Sequence, residues 1–401
     1  MSCFILRRWV PASIVLFLGA ALIEAAPPTA DRRATTLPAD VVNPNPHQRL
    51  NLFGKPDKPR FELKDKDWSA RPGEASICLW KDDAVAAASM GIDDNEAYNL
   101  RWWMPMCKKY GLKPTWWLVT SSINSRYGNG GTWDGWKKIV AAGYEVASHS
   151  VDHLNHNSPM WDNMDVQYAD SKKAIEEHLG VRCLTLAYPG GKGQEKNDPA
   201  VAAKYYLAAR GGPPHVNAAN AIDYLSVGAT SGFTIHDDKV PWAASLHKVF
   251  QNKPGSRAWR GWWVGFFHWI HENDAKETAE WEQRFAYIRD KVDSGDLWLG
   301  YFSEVARYGQ ERDTAKLTVR SEVADKIVLD LTDEMDDSLF DFPLTVKVRL
   351  ADTWKSAAAT QNGKLVGCKV IEHQRAKFAL VQVTPDRGEV VLVPQAAQAN
   401  K

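Results

Sequence analysis

From Ala75 onward, short apolar runs alternate with stretches in which apolar residues recur every three or four positions. The first run, Ala84 to Ile92, reads as a buried strand that stops at the acidic pair Asp93-Asp94. Leu112 to Thr120 is a second strand, a helix follows over about Trp133 to Ala142, and Tyr144 to Ser148 is a third strand. Met164, Tyr168, Ile175 and Leu179 keep helical spacing, and Gly180 stops that helix as a left-handed cap does. Cys183 to Ala187 predicts another strand, then a helix through Val201–Tyr206, then strands near Leu207–Arg210 and Tyr224–Thr230. Trp262 to Ile270 is a strongly apolar strand. Trp281, Phe285, Ile288 and Val292 share one helical face that ends at Gly295, and Leu297 to Phe302 supplies a last strand. Alternating strands and helices over this length imply a parallel sheet with helices outside, barrel or open.

After about Asp313 the period changes to two. Ile327, Leu329 and Leu331 alternate with polar neighbours, as do Val346, Val348 and Leu350. Runs of this kind, with Pro, Gly, Asn and Asp between them, predict a small antiparallel β-sandwich over 313–396, behind an α/β domain over 74–312. The first 26 residues read as a secretory signal: Arg7 and Arg8, an apolar stretch from Val10 to Ile23, then small residues before Pro27-Pro28. Residues 27–73 are rich in Pro, Asp, Lys and Asn and read as a linker or extended segment. The expected location is therefore secreted or periplasmic, with no membrane span once the signal is cleaved.

Composition narrows the function classes. In 401 residues, Lys+Arg and Asp+Glu both number 49, so there is no basic footprint for nucleic acid. The cysteines lack the CxxC spacing of a zinc site, and Cys78, Cys107, Cys183 and Cys368 are expected as free thiols. Eighteen tryptophans are mostly core by default, but rings exposed beside a cleft would stack on sugar faces.

The chemistry gathers at strand ends, where parallel folds place their active sites. His149-Ser150-Val151-Asp152-His153 carries two imidazoles four positions apart, which can point the same way and reach one divalent ion at about 2.0–2.1 Å. A carboxylate of Asp93-Asp94 can supply a third ligand, leaving positions open for water and substrate, while its neighbour serves as a base.

The acidic pair, then the HSxxH run, then Ala187-Tyr188-Pro189-Gly190, then Phe266-Phe267-His268 resembles the polysaccharide deacetylase family (NodB homology, carbohydrate esterase 4), over about residues 76–310. The resemblance implies a distorted (β/α) barrel of the NodB type. It implies Asp93 as general base, Asp94, His149 and His153 as metal ligands, His268 as general acid, and the Tyr188 backbone N–H as an oxyanion donor. Its implied cofactor is one divalent ion, Zn²⁺ or alternatively Co²⁺ or Ni²⁺. Amide hydrolysis needs these parts: an activated water, a polarised carbonyl and a proton for the departing amine.

The sequence departs from the family in three places. Gly91-Ile92 stands where many members have Thr-Phe, and Asn95 where they have Gly. The third-motif arginine is absent from Thr185 to Pro189, with Arg210 on the next strand available in its place. Asp238 and Trp242 have the fourth motif's DxxxW spacing, beside His236 and Asp237. His271 rivals His268 for the acid, and His156 reads as a surface residue. The expected activity is metal-dependent removal of acetyl groups, N-acetyl before O-acetyl, from an acetylated polysaccharide or oligosaccharide. An O-acetyl xylan-type esterase and an inactive glycan-binding protein on the same fold are the alternatives.

Overall fold

The computed structural model describes residues 59–126, 128–154, 164–190, 199–212, 214–231, 242–251, 253–323 and 325–395, with a short antiparallel pairing of Thr35–Thr36 and Arg49–Leu50. The signal over 1–26 and most of the 27–73 segment lie outside the described residues, as do His156, His236, Asp237 and Asp238.

In chain order the strands are β1 (Ala75–Ile77), β2 (Ala86–Ile92), β3 (Pro114–Leu118), β4 (Glu145–Ser148), β5 (Thr185–Ala187), β6 (Ala208–Gly212), β7 (Val227–Gly228), β8 (Thr230–Ser231), β9 (Trp262–Phe267) and β10 (Leu297–Leu299). Strands β2 to β10 make one parallel sheet in the order β8-β9-β2-β3-β4-β5-β6-β7, with β10 beside the start of β2. The two ends of that order, β7 and β8, are separated in the chain by Ala229 alone. A sheet whose first and last strands are so close in sequence must curl round on itself, so this is the distorted barrel.

Seven helices are described: α1 (Leu100–Tyr110), α2 (Trp133–Ala141), α3 (Met164–Leu179), α4 (Pro199–Ala202), α5 (Trp242–Gln251), α6 (Ala275–Asp293) and α7 (Phe302–Thr314). Three of them, α1, α5 and α7, lie where the sequence pattern predicts no helix. In α1 the consecutive apolar residues Trp102 to Met106, with Pro105 inside, hide the 3.6-residue period. Helix α7 is buried on nearly every side, including its polar Gln310 and Glu311, because it is sandwiched between sheet and C-terminal domain. Helix α4 is shorter than the stretch Val201–Tyr206 suggests, and the strand expected over Tyr224–Thr230 is two dipeptides.

The C-terminal region is the expected antiparallel sandwich. Its strands are β11 (Lys316–Val323), β12 (Lys326–Thr332), β13 (Leu344–Arg349), β14 (Ser356–Gln361), β15 (Lys364–Val366), β16 (Cys368–His373), β17 (Ala376–Val383) and β18 (Val390–Gln395). One sheet runs β11-β12-β18-β14-β15 and the other β16-β17-β13-β1. Strand β1 thus precedes the barrel in sequence but pairs with β13, Ile77 opposite Val346.

Alternation along β2 explains how one strand serves two cores. Ala87 joins Trp117, Trp262 and Phe302 inside the barrel, in a cluster that continues into the sandwich through Val346 and Leu392. Ala86, Ala88, Met90 and Ile92 face Trp103, Trp116 and Trp281 under the outer helices. At the domain junction Lys347 Nζ lies 2.9 Å from Asp83 Oδ2, both buried. A strap from Arg60 to Gly73 crosses that junction. Arg60 N–H donates to Asn220 O, the Trp68 ring stacks on His373 at 3.9 Å, and Gly73 N–H donates to Arg349 O. Cys78, Cys107 and Cys183 are buried free thiols and Cys368 is a half-buried one.

Candidate metal and catalytic centre

The site lies just past the ends of β2, β4 and β9. Strand β2 delivers Asp93, whose N–H donates to Phe267 O, and the chain then turns through three consecutive left-handed residues: Asp94 (φ 56°), Asn95 (φ 66°) and Glu96 (φ 48°). Non-glycine residues rarely adopt this conformation and do so at a cost. The turn is held by Asn95, whose Oδ1 accepts the Val119 N–H at 2.9 Å and whose Nδ2 donates to Gly130 O at 3.3 Å. Asn95 thus fills, by its tolerance of left-handed backbone, the position where glycine was expected. Leaving the strand conformation at Asp94 lets neighbouring carboxylates open on one site.

Strand β4 delivers the histidines. His149 N–H continues the ladder to Leu118 O, and its Nδ1 lies 2.7 Å from Ala187 O. A carbonyl can only accept, so the proton sits on Nδ1 and the Nε2 lone pair faces the site. The next turn is pinned from α3. Gln167 Oε1 accepts the N–H groups of Val151 (3.1 Å) and Asp152 (2.9 Å), and Gln167 Nε2 donates to Asp152 Oδ2 (2.8 Å). His153 N–H donates to Ser150 Oγ at 3.1 Å.

These tethers bring Asp94 Oδ1 within 3.5 Å of His149 Nε2 and 3.3 Å of His153 Nε2. Ligands at about 2.1 Å from a tetrahedral ion stand about 3.4 Å from one another, so the spacing suits a divalent metal. Asp94 Oδ1 is moreover buried and makes no hydrogen bond, an arrangement that is costly unless a cation completes it. Asp94, His149 and His153 form a group whose ligand atoms converge.

Asp93 is almost fully buried and held by Arg210, whose Nη2 donates to both of its oxygens at 2.7 Å. Burial alone would push this carboxyl up, but Arg210, His149 and His268 outweigh it and keep it below the usual carboxylate range. Arg210 is therefore the arginine that the third motif lacks. It comes from β6, with its guanidinium between the rings of Trp117 (5.5 Å) and Phe266 (4.4 Å). A Cβ on Gly91 would fall 2.3 Å from Trp117 Nε1, so the missing threonine-sized residue is the space that Trp117 occupies. Burial depresses His149 to about 4, which keeps the imidazole neutral and ready as a ligand. Burial, then the charge of Asp94, raises Glu96 to about 7, and its Oε2 accepts from Asn129 Nδ2 at 2.6 Å.

His268 sits at the mouth. Its Nε2 is 3.7 Å from Asp94 Oδ2 and 4.0 Å from Asp93 Oδ2. His271 points elsewhere, its Nδ1 2.7 Å from Glu277 Oε2. One expectation is corrected. The Tyr188 N–H donates to Arg210 O at 2.8 Å, and the phenol donates to Leu225 O, so the ladder between β5 and β6 uses the donor assigned to the oxyanion. The candidate donor of this turn passes to Gly190, since Pro189 has no N–H.

Residues 84–208 match the profile of the family described as polysaccharide deacetylase. The chain is 33% identical over 357 residues to a gellan lyase of a Bacillus species, covering 84% of this chain and 14% of that protein. It is 29% identical over 127 residues to YxkH of Bacillus subtilis (strain 168), whose name describes a polysaccharide deacetylase, covering 31% of this chain and 45% of the relative. The chain therefore spans less than half of either relative. Among solved structures, the Streptococcus pyogenes deacetylase PplD in complex with acetate aligns over 35% of this chain and 62% of that one, at 22% identity and a TM-score of 0.32.

Proposed function

We propose that the chain, whose residues 84–208 match the polysaccharide deacetylase family, is a metal-dependent hydrolase that removes acetyl groups, N-acetyl before O-acetyl, from a glycan outside the cytoplasm. The observation that carries the proposal is the buried Asp94 Oδ1, without a hydrogen bond, facing two imidazole Nε2 atoms at 3.3 and 3.5 Å.

Asp94, His149 and His153 would hold the ion, Zn²⁺ first and Co²⁺ or Ni²⁺ as alternatives, which when bound supplies Lewis acidity toward the acetyl carbonyl and its water. The remaining work falls to side chains of this chain. Asp93, kept ionised by Arg210, takes the proton of the attacking water, and its two hydrogen bonds to one guanidinium fix where that proton goes. His268, at the mouth and within reach of both carboxylates, gives a proton to the departing amine. Gly190 N–H is the candidate donor for the developing oxyanion, since the Tyr188 N–H is engaged and Pro189 has none. The name of the gellan lyase relative supports a polysaccharide as the substrate class.

The test is acetate release from N-acetylated and O-acetylated oligosaccharides, with metal content measured alongside. Release should stop on chelation and return with Zn²⁺, and Asp94→Ala should lose both ion and activity. Undiminished acetate release by Asp94→Ala would overturn the reading.

A further inference from the structure

We infer that the rim bearing Trp269 and Tyr98 is a saccharide-stacking platform, so that the enzyme grips a chain of several sugars rather than the reacting residue alone; this rests on the function proposed above. Most of the large aromatics are buried, yet Trp269 is 63% exposed and Tyr98 69%. The Trp269 ring centroid is 6.0 Å from that of His268, and Tyr98 follows the left-handed turn that begins at Asp94.

Their backbones are also tied together. Asn99 Oδ1 accepts the Ile270 N–H at 3.1 Å, and Asn99 Nδ2 donates to Ile270 O at 3.0 Å. Tyr98 and Trp269 are the residues immediately before these two partners, so the reciprocal pair holds the two backbone segments that carry the rings relative to each other. Tyr98 N–H donates to Asn129 Oδ1 at 2.6 Å, and Arg101 pairs with Glu272. Rings left in water on so firmly held a backbone are prepared for a partner at little further ordering cost.

The surroundings say which partner. The rings stand singly, with Asn129 and Arg101 beside Tyr98 and the half-exposed His268 beside Trp269, not in a continuous apolar patch of the kind that docks proteins. An apolar face edged with hydrogen-bonding groups suits a pyranose, whose C–H face stacks while its hydroxyls stay solvated or bonded.

The experiment uses the full chain with Zn²⁺ and N-acetylglucosamine and acetylated xylose oligomers of two to six units, measuring kcat and KM for acetate release. For wild type KM should fall with chain length. Trp269→Ala should raise KM on the hexamer about 10-fold with kcat largely kept and flatten the length dependence, with Trp269→Phe between the two. Tyr98→Ala should shift KM in the same direction. Thermal melts verify folding, and Trp269→Phe carries the test if Trp269→Ala is unstable. Wild-type turnover with unchanged KM in Trp269→Ala, Trp269→Phe and Tyr98→Ala would overturn the platform and leave the deacetylase reading standing. Absence of acetate release by wild type on every oligomer would overturn both.

Discussion

Arg210 reaches Asp93 across 117 positions of sequence, and its removal would leave a carboxylate buried without its counter-charge. Arg210→Met should cost about 3–5 kcal/mol in a denaturant titration. It should also raise the Asp93 carboxyl, so the acidic limb of the kcat/KM profile moves to higher pH. Gly91→Ala should push the indole of Trp117 and disturb the guanidinium beyond it, costing about 1–3 kcal/mol by overpacking. Without metal, the fold holds His149 neutral, at about 4 against 6.5 in the unfolded chain, which therefore binds that proton first. Stability of the metal-free protein should fall as pH drops from about 6.5 toward about 4, as followed by melting temperature. The acidic pair and the HSxxH run are legible in the sequence because each is a local motif. Arg210 is not, because strand adjacency and the aromatic slot that holds a guanidinium are properties of the folded sheet. Tyr188 fails for a related reason: its N–H belongs to a ladder that only the neighbouring strand reveals.

At the scale of elements, the histidine turn depends on a helix that contributes no ligand. Gln167 of α3 satisfies two N–H groups after β4 and receives nothing comparable from solvent, being buried. Gln167→Ala should cost about 1–3 kcal/mol. It should also weaken metal binding about 10- to 100-fold, as measured by competition with a chromophoric chelator. Amphipathic α3 and α6 and the strands β2, β3 and β4 follow their sequence periods closely. Of the helices that escape prediction, α7 is buried on several sides, where no polar face marks the period, and in α1 the unbroken run Trp102 to Met106 masks it.

At the scale of the molecule, barrel and sandwich share a buried ion pair. Lys347→Met would leave Asp83 without its close partner, with Lys66 at 3.9 Å and the charge of Arg260 farther off, and should lower the unfolding free energy by about 3–5 kcal/mol. The double variant Asp83→Asn/Lys347→Met should recover much of that loss, since neither buried partner is then charged and Asn tolerates the left-handed backbone at 83. Guanidinium midpoints of the two proteins check both expectations. The sequence shows the change from α/β to all-β near 313 but not the strap, because a segment without periodicity gives no sign of what it lies across.

Strand β1 turns this architecture into a constraint on assembly. Ile77 emerges from the ribosome long before its partner Val346, with the whole barrel made in between. Until that late partner arrives, the sandwich lacks one border and three residues wait unpaired, so the two halves cannot mature as independent beads on a string. A version cut at 312 would expose that border permanently and invite sticking between copies. Anyone transplanting the barrel to another host should carry both flanks with it.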